Sequence, residues 1–375
     1  LARTQVRSQR RDKEGDQVAF VRLEADDLIG DNAREQLVQE RVQQLRALIK
    51  DRGAAGVRLD TRRDFAWLTL GGLNHVLLST ETGVAPVVVT DDDAVVLAPV
   101  NEYERLVAEE LHGLPLRAVS LPWWDDNAVS RETAQLDGSG AILTATDIAT
   151  ELESLRTALV PAEHARMEWL GALVNETLRT ALEAVSVGES EESLGGDVAA
   201  RLADGNTRLP VILVAADERI SRFRHPIPTA ARIRGRVMVV VVAERWGLHV
   251  ASTQFREFEP LPDQLRERAA AIADVTDAMR EASTVGNTLG AVLTAARKAY
   301  SEHGLESEWT LHHQGGSIGY AARERVAKPD DPTPIRPGMA FAWNPSAVGY
   351  KAEQTFYLDQ DGRQHVLNTT AGPPS

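Results

Sequence analysis

Cysteine is absent from this 375-residue sequence. That excludes disulfides, thiolate zinc sites, iron–sulfur clusters and a cysteine nucleophile, and leaves His and carboxylates as the available metal ligands. A cysteine-free chain also fits a cytoplasmic setting. Long apolar runs are missing too: the longest buried-looking stretch, Val237 to Ala243, is strand-sized, far short of the roughly 20 residues of a membrane helix. Basic surplus is lacking, since the net charge is −14, and a phosphate-binding surface needs the opposite sign. Neither nucleic acid nor membrane is therefore an expected partner. No Gly-x-Ser-x-Gly elbow, Walker loop or dinucleotide fingerprint appears, and Gly315-Gly316 lacks the context of a phosphate loop.

What is present is ordinary for a globular protein: 43% hydrophobic and 26% charged residues, with length enough for two cores. Residues 1–30, with the Arg-rich stretch Arg3 to Arg11, read as an extension without the apolar core of a secretory signal: a flexible or partner-docking tail, or else a binding arm. Residues 31–150 and 151–375 read as two domains. Asp31 or Asn32 is placed to cap the first helix, with Glu35 completing a capping box, Val38, Val42, Leu45 and Leu48 on one face and Gly53 as the stop. Short apolar segments follow at Gly56–Leu59, Phe65–Leu70, Val84–Thr90 and Ala94–Val100, with a hairpin turn at Asp91–Asp93 and a helix at Glu102–Leu111. Pro161 suits the first turn of a long helix whose face carries Met167, Leu170, Val174, Leu178 and Leu182. The remainder reads as a helix at Ser190–Ala203, strands at Leu209–Ala215 and Val237–Ala243, and helices at Leu265–Ala282 and Thr288–His303. Strands return at Met339–Trp343 and Glu353–Leu358. The fold class is α/β (α+β).

Four segments carry a resemblance. Pro337-Gly338-Met339 with Phe341-Ala342-Trp343-Asn344-Pro345 resembles a strand that normally reads Gly-Met-…-Glu-Pro. Gly349-Tyr350-Lys351-Ala352-Glu353 resembles a final ligand-bearing strand, and Gly315-Gly316-Ser317-Ile318-Gly319 a Gly-His-Gly-Ile-Gly segment. Phe65-Ala66-Trp67-Leu68-Thr69 with Asn74 resembles the N-terminal domain of the prolidase–creatinase branch. By their order and spacing, over residues 35–370, the chain resembles the pita-bread superfamily of methionine aminopeptidase, prolidase, aminopeptidase P and creatinase. The resemblance implies a creatinase-like N-terminal α/β domain followed by a C-terminal pita-bread domain, and a homodimer in which Arg63 and Asn74 reach the neighbour's site.

The family's ligands for two metal ions are Asp, Asp, His, Glu and Glu. By resemblance these positions hold Val240, Ala251, Gly316, Asn344 and Glu353. One carboxylate, an amide and two aliphatic side chains cannot neutralise two divalent ions, so neither a metal nor another cofactor is expected. Adjacent His312 and His313 offer no substitute if they lie on a strand, where they point to opposite faces.

Creatinase, a family member, works without metal through a His acid and base; the matching residue here is His225. Glu353, freed of metal, needs a partner: His225, Arg323, a cationic substrate or simply Lys351. Arg323 suits an anionic group of a substrate. His313, Gln314, Asn344 and Arg63 complete the candidate substrate contacts. Glu324 reads as paired to a surface base, Asp217-Glu218-Arg219 as a solvated loop, and Trp343 and Trp246 as core. Three functions follow: a metal-independent creatinase-like enzyme acting on a small amide, amidine or related C–N bond; an inactive pita-bread protein that binds a small molecule or partner; or an Xaa-Pro metallopeptidase whose metal site lies elsewhere.

Overall fold

The computed structural model describes residues 28–136 and 140–368. The Arg3–Arg11 segment, and all but the end of the expected N-terminal extension, lie outside them. Helix α1 (Asp31–Arg52) buries Val38, Val42, Leu45 and Ile49, and Gly53 ends it in the left-handed region at φ 61°. Its start departs from expectation. Gly30 occupies the N-cap without a side-chain cap, and Glu35 instead accepts from the Gln39 side chain one turn on. Asp31 thus falls inside the first turn, where its charge faces the positive end of the helix.

After β1 (Gly56–Thr61) comes a second helix. Phe65–Leu70, read from the sequence only as a short apolar segment between turns, is the body and cap of helix α2 (Arg62–Thr69), started by the Thr61 hydroxyl accepting from the Asp64 N–H. Asp64 through Thr69 are all buried, and a helix buried all round carries no periodicity to tell it from a strand. Strands β2 (Thr82–Thr90) and β3 (Ala94–Pro99) form the expected hairpin. The helix α3 (Val100–Arg105) runs on as a π turn over Leu106–Glu110. With β4 (Arg117–Leu121), α4 (Ala128–Leu136) and β5 (Ile142–Thr144) the first sheet has the order β4-β3-β2-β1-β5, mixed in direction.

Helix α5 (Ala149–Thr157) leads to α6 (Pro161–Ala184). Pro161 sits in the first turn, where its missing N–H costs nothing, and the Glu163 carboxylate accepts from the Val160 N–H at 2.8 Å. The predicted apolar face is buried. Helix α7 (Glu191–Asp204), capped by Ser190, precedes β6 (Arg208–Ala216), α8 (Glu218–Arg222), β7 (Arg236–Arg245) and β8 (Leu248–Glu257). The three strands form an antiparallel sheet in the order β6-β7-β8, with α6 and α7 packed on it. Helices α9 (Asp263–Ala282) and α10 (Leu289–Glu302) follow. The last sheet has the order β10-β9-β11-β14-β15, from β9 (Gly315–Ile318), β10 (Arg325–Val326), β11 (Ala340–Trp343), β14 (Gln354–Leu358) and β15 (Gln364–Val366). The short pair β12 (Ser346–Ala347) and β13 (Tyr350–Lys351) stands beside it. The two sheets meet where the Thr355 hydroxyl bonds both backbone groups of Ala251, linking β14 to β8.

Two sequence readings of polar residues change with the fold. Glu324 pairs not with a surface base but with Arg156, at 2.8 Å, and Arg156 also holds Asp64 of α2 at 2.8 Å; all three side chains are buried. The Asp217–Arg219 segment is no solvated loop. Asp217 accepts backbone N–H bonds from Gly235 and Arg236, and Arg219 reaches the fully buried Glu191. Trp343 is core, whereas Trp246 is half-buried between Trp169 and two arginines. Among the described residues no helix is long and apolar enough to cross a membrane.

Candidate active site

The antiparallel register pairs Val240 with Thr253 and Val242 with Ala251, so Val240, Ala251 and Thr253 share one face of the hairpin. Val240 and Ala251 are buried and aliphatic. Thr253 is polar, and its hydroxyl donates to Glu353 Oε2 at 2.9 Å. Glu353, 2% exposed, also accepts from Arg323 Nη2 at 3.0 Å on Oε1 and pairs with Lys351 Nζ at 3.2 Å on Oε2. Burial alone would raise this carboxyl; Lys351 and Arg323, with the Thr253 hydroxyl, hold it below the ordinary carboxylate range. The Arg323 partnership is thus formed, with Lys351 beside it. A Glu353–His225 pair is not formed.

His225 instead meets His312, their Nε2 atoms 3.0 Å apart. The sequence-based expectation that His312 and His313 diverge is corrected here. His312 ends a 3₁₀ turn (Glu308–Leu311), and the strand begins only at Gly315, so strand alternation does not apply. The His312 and His313 rings stack at 4.4 Å between centroids. His225 and His313 are exposed and His312 is buried. Burial, then Lys351 and neighbouring imidazoles, lowers His312 to about 2. Partial desolvation with Arg323 and Lys351 lowers His313 to about 4, and desolvation with Lys351 lowers His225 as well.

On the other side of Arg323 a cavity of about 300 Å³ opens between the α2 region and the β6–β8 sheet. Arg62, Arg63, Arg208 and Arg323 line it, with Glu81 and Glu244 as acids. Arg208 is clamped to Glu244 at 2.6 Å and Arg62 reaches Glu81 and the Thr80 carbonyl. Arg63 carries no ion pair among the described residues, and its buried Nε has no hydrogen-bond partner. Arg63 therefore lines a cavity of its own chain. Asn74, expected to reach a neighbour, is buried and bonds both backbone groups of Ala85.

Gln314 is also placed differently from expectation. It is 1% exposed, its amide N–H groups go to the Trp309 and His312 carbonyls, and its oxygen accepts from Tyr300. Such a side chain positions the His312 segment: both amide hydrogens are committed and the group is buried. Asn344 is buried with Oδ1 unpartnered among the described residues. Lys351 and Thr253 carry more of the site than the sequence suggested. Thr253 lies two residues along β8 from Ala251, and that spacing puts it on the ligand face; Lys351 ends β13 two residues before Glu353 and reaches its Oε2 directly.

Residues 165–366, more than half of the chain, match metallopeptidase family M24. The chain belongs to that family. Solved structures bear out the pita-bread fold with its creatinase-like N-terminal domain. A dipeptidase from Pyrococcus horikoshii OT3 superposes with a TM-score of 0.74 at 19% identity, covering 89% of this chain and 99% of that one. An Xaa-Pro dipeptidase from Bacillus anthracis gives 0.73 at 14%, covering 90% and 99%. The N-terminal domain of the FACT complex subunit SPT16 from chickpea (Cicer arietinum) gives 0.68 at 13%, covering 88% and 96%. No curated protein matches the sequence. These likenesses establish the fold; function has to be argued from the site.

The site of this M24 protein does not fit the family's pair of metal ions. Both Glu353 oxygens already face cations of the chain itself. Val240 and Ala251 offer no donor atoms. At Gly316, where the family carries its ligand His, an added Cβ would lie 1.8 Å from the Arg325 carbonyl oxygen of β10, so no side chain fits on this backbone. Asn344 contributes at most a neutral oxygen. Charge, donors and space are missing together.

Proposed function

We propose that this M24 peptidase-like protein works without the family's dinuclear centre. It acts on a small molecule bearing an amide, amidine or related C–N bond and an anionic group. The observation that carries this reading is the Glu353 cluster: the chain's own Arg323 and Lys351 stand against the one remaining ligand carboxylate. The anionic group docks in the arginine-lined cavity, on Arg63 and the free edge of Arg323, because a guanidinium fork matches a carboxylate. His225 is the acid/base group. Its lowered pKa leaves the ring neutral near pH 7, the form that accepts a proton. In the tautomer whose Nε2–H donates to His312, His225 keeps its Nδ1 lone pair for the substrate; Glu353, Arg323, His313 and Asn344 orient the reacting group.

A second reading, binding without turnover, is favoured by one observation: the 3.0 Å contact ties up one ring nitrogen of His225. Both readings are separated by screening small amides, amidines and dipeptides for thermal stabilisation and then for cleavage, with His225→Gln alongside. The first reading expects cleavage lost in the variant while ligand stabilisation persists. Ligands that stabilise but are never cleaved would support the second. Cleavage requiring two tightly bound ions per chain would overturn both in favour of an Xaa-Pro metallopeptidase.

A further inference from the structure

Three imidazoles converge from two distant parts of the chain. His225 lies in the loop between α8 and β7, and His312 and His313 lie between α10 and β9. One ligand nitrogen from each lies within 4.8 Å of the other two. The Nε2 atoms of His225 and His312 are 3.0 Å apart. Around a tetrahedral ion with metal–nitrogen bonds of about 2.0–2.1 Å, two ligand nitrogens stand roughly 3.3 Å apart. One edge of such a site is therefore almost in place, and the others need only to contract. The rings that must turn, His225 and His313, are the exposed ones, while His312 is buried and fixed. In turning, His313 loosens a long 3.3 Å hydrogen bond from the Gly315 N–H and its stacking on His312.

We infer that His225, His312 and His313 form a binding site for a single transition-metal ion, apart from the family's dinuclear positions. The donor set is neutral, nitrogen-only and lacks a carboxylate. Zn²⁺, Co²⁺, Ni²⁺ or Cu²⁺ suit such a set; Mg²⁺, Ca²⁺ and Mn²⁺, which want oxygen, do not. Three protein ligands with two rings at the solvent edge leave the fourth position to water or to an anionic ligand. The nearby cations do not close the site. Lys351 and Arg323 are both engaged by Glu353, and Arg224 is engaged by Glu308 and Ser346. They do leave a net positive surround, so the ion binds less tightly than at an acid-backed His site, where a carboxylate raises ligand basicity.

The inference goes beyond the proposed function and constrains it. An ion held by His225 Nε2 puts the ring proton on Nδ1 and so removes the Nδ1 lone pair that acid/base chemistry needs; the metal is therefore an inhibitor of the proposed turnover, not its cofactor. Its readout is binding, which does not depend on whether any substrate is cleaved.

The test uses the full chain, stripped with chelator and titrated with Co²⁺ while its visible absorption is followed, with Zn²⁺ stoichiometry measured by calorimetry. One ion per chain is expected, with the intense bands of a four-coordinate Co²⁺ centre. His225→Gln and His313→Gln, both at exposed positions, each weaken binding by more than about tenfold, equivalent to 1.4 kcal/mol. His303→Gln, a solvent-exposed His paired with Asp274 elsewhere in the fold, leaves it unchanged. Absence of stoichiometric binding overturns the inference, as does binding that survives both exposed-His variants. Two ions per chain, lost on Glu353→Gln instead, would overturn it and the proposed function together.

Discussion

Arg323 donates to Glu353 at 3.0 Å on one oxygen while Lys351 stands 3.2 Å from the other, so two cations of the chain share one buried carboxylate. Removing the carboxylate leaves both cations with side chains no more than 13% exposed. Breaking a buried pair in this way costs about 3–5 kcal/mol. Glu353→Gln is therefore expected to lower the urea midpoint strongly and to cripple turnover of any substrate found. Unchanged stability would show the cluster to be dispensable.

Acid should weaken the same region in two steps. Glu353 has a lowered folded pKa, so its contribution is complete above the unfolded value of about 4.3 and is lost as pH falls below it. His312 and His313 are lowered to about 2 and about 4, against about 6.5 unfolded. Below pH 6.5 the unfolded chain binds protons that the folded rings refuse, so stability falls as pH drops from there. Metal-free urea titrations from pH 8 to 4.5 should show this slope, and His312→Gln should flatten it.

Gly316 makes restoration of the family ligand a sharp experiment. A Cβ there meets the Arg325 carbonyl oxygen at 1.8 Å, so Gly316→His must push β10 away from β9. Overpacking of this kind costs about 1–3 kcal/mol or more. Gly316→His is expected to be destabilised and to gain no bound metal pair, measured by unfolding and elemental analysis. A stable, metal-loaded variant would show that the inherited site is still usable.

Arg63 should separate binding from stability. It lines the cavity without an ion pair among the described residues, so Arg63→Ala is expected to shift unfolding by no more than about 0.5 kcal/mol. Stabilisation by carboxylate ligands should fall by about 1.5–3 kcal/mol, the usual range for a hydrogen bond to a charged group. Equal stabilisation of both proteins by such ligands would remove Arg63 from the site.

Arg156 bonds Asp64 of α2 and Glu324 beyond β9, each at 2.8 Å and all buried. Asp64→Ala and Glu324→Ala should each destabilise, and their double variant should fall short of additivity, because the two losses share one partner. Strict additivity in denaturant titrations would deny the coupling.

Much of the framework was legible in the sequence because it depends on local signals. The α6 face from Met167 to Leu182, Pro161 at its first turn, Gly53 ending α1 and the Asp91–Asp93 turn all follow from periodicity and backbone preference. The donor-poor character of the matched positions was legible too, since valine, alanine or glycine has no side-chain donor atom whatever the fold. The α2 helix escaped because burial on every side erases periodicity.

Tertiary structure alone decided how the remaining polar groups are used. It placed Gln314 inward on Tyr300 and Glu324 on Arg156. It turned His312 and His313 toward His225, from a position 87 residues earlier in the chain. It also closed Arg323 and Lys351 over Glu353. The sequence determined which charges and donors exist. Their pairing depends on long-range proximity and shared burial, which no local pattern encodes.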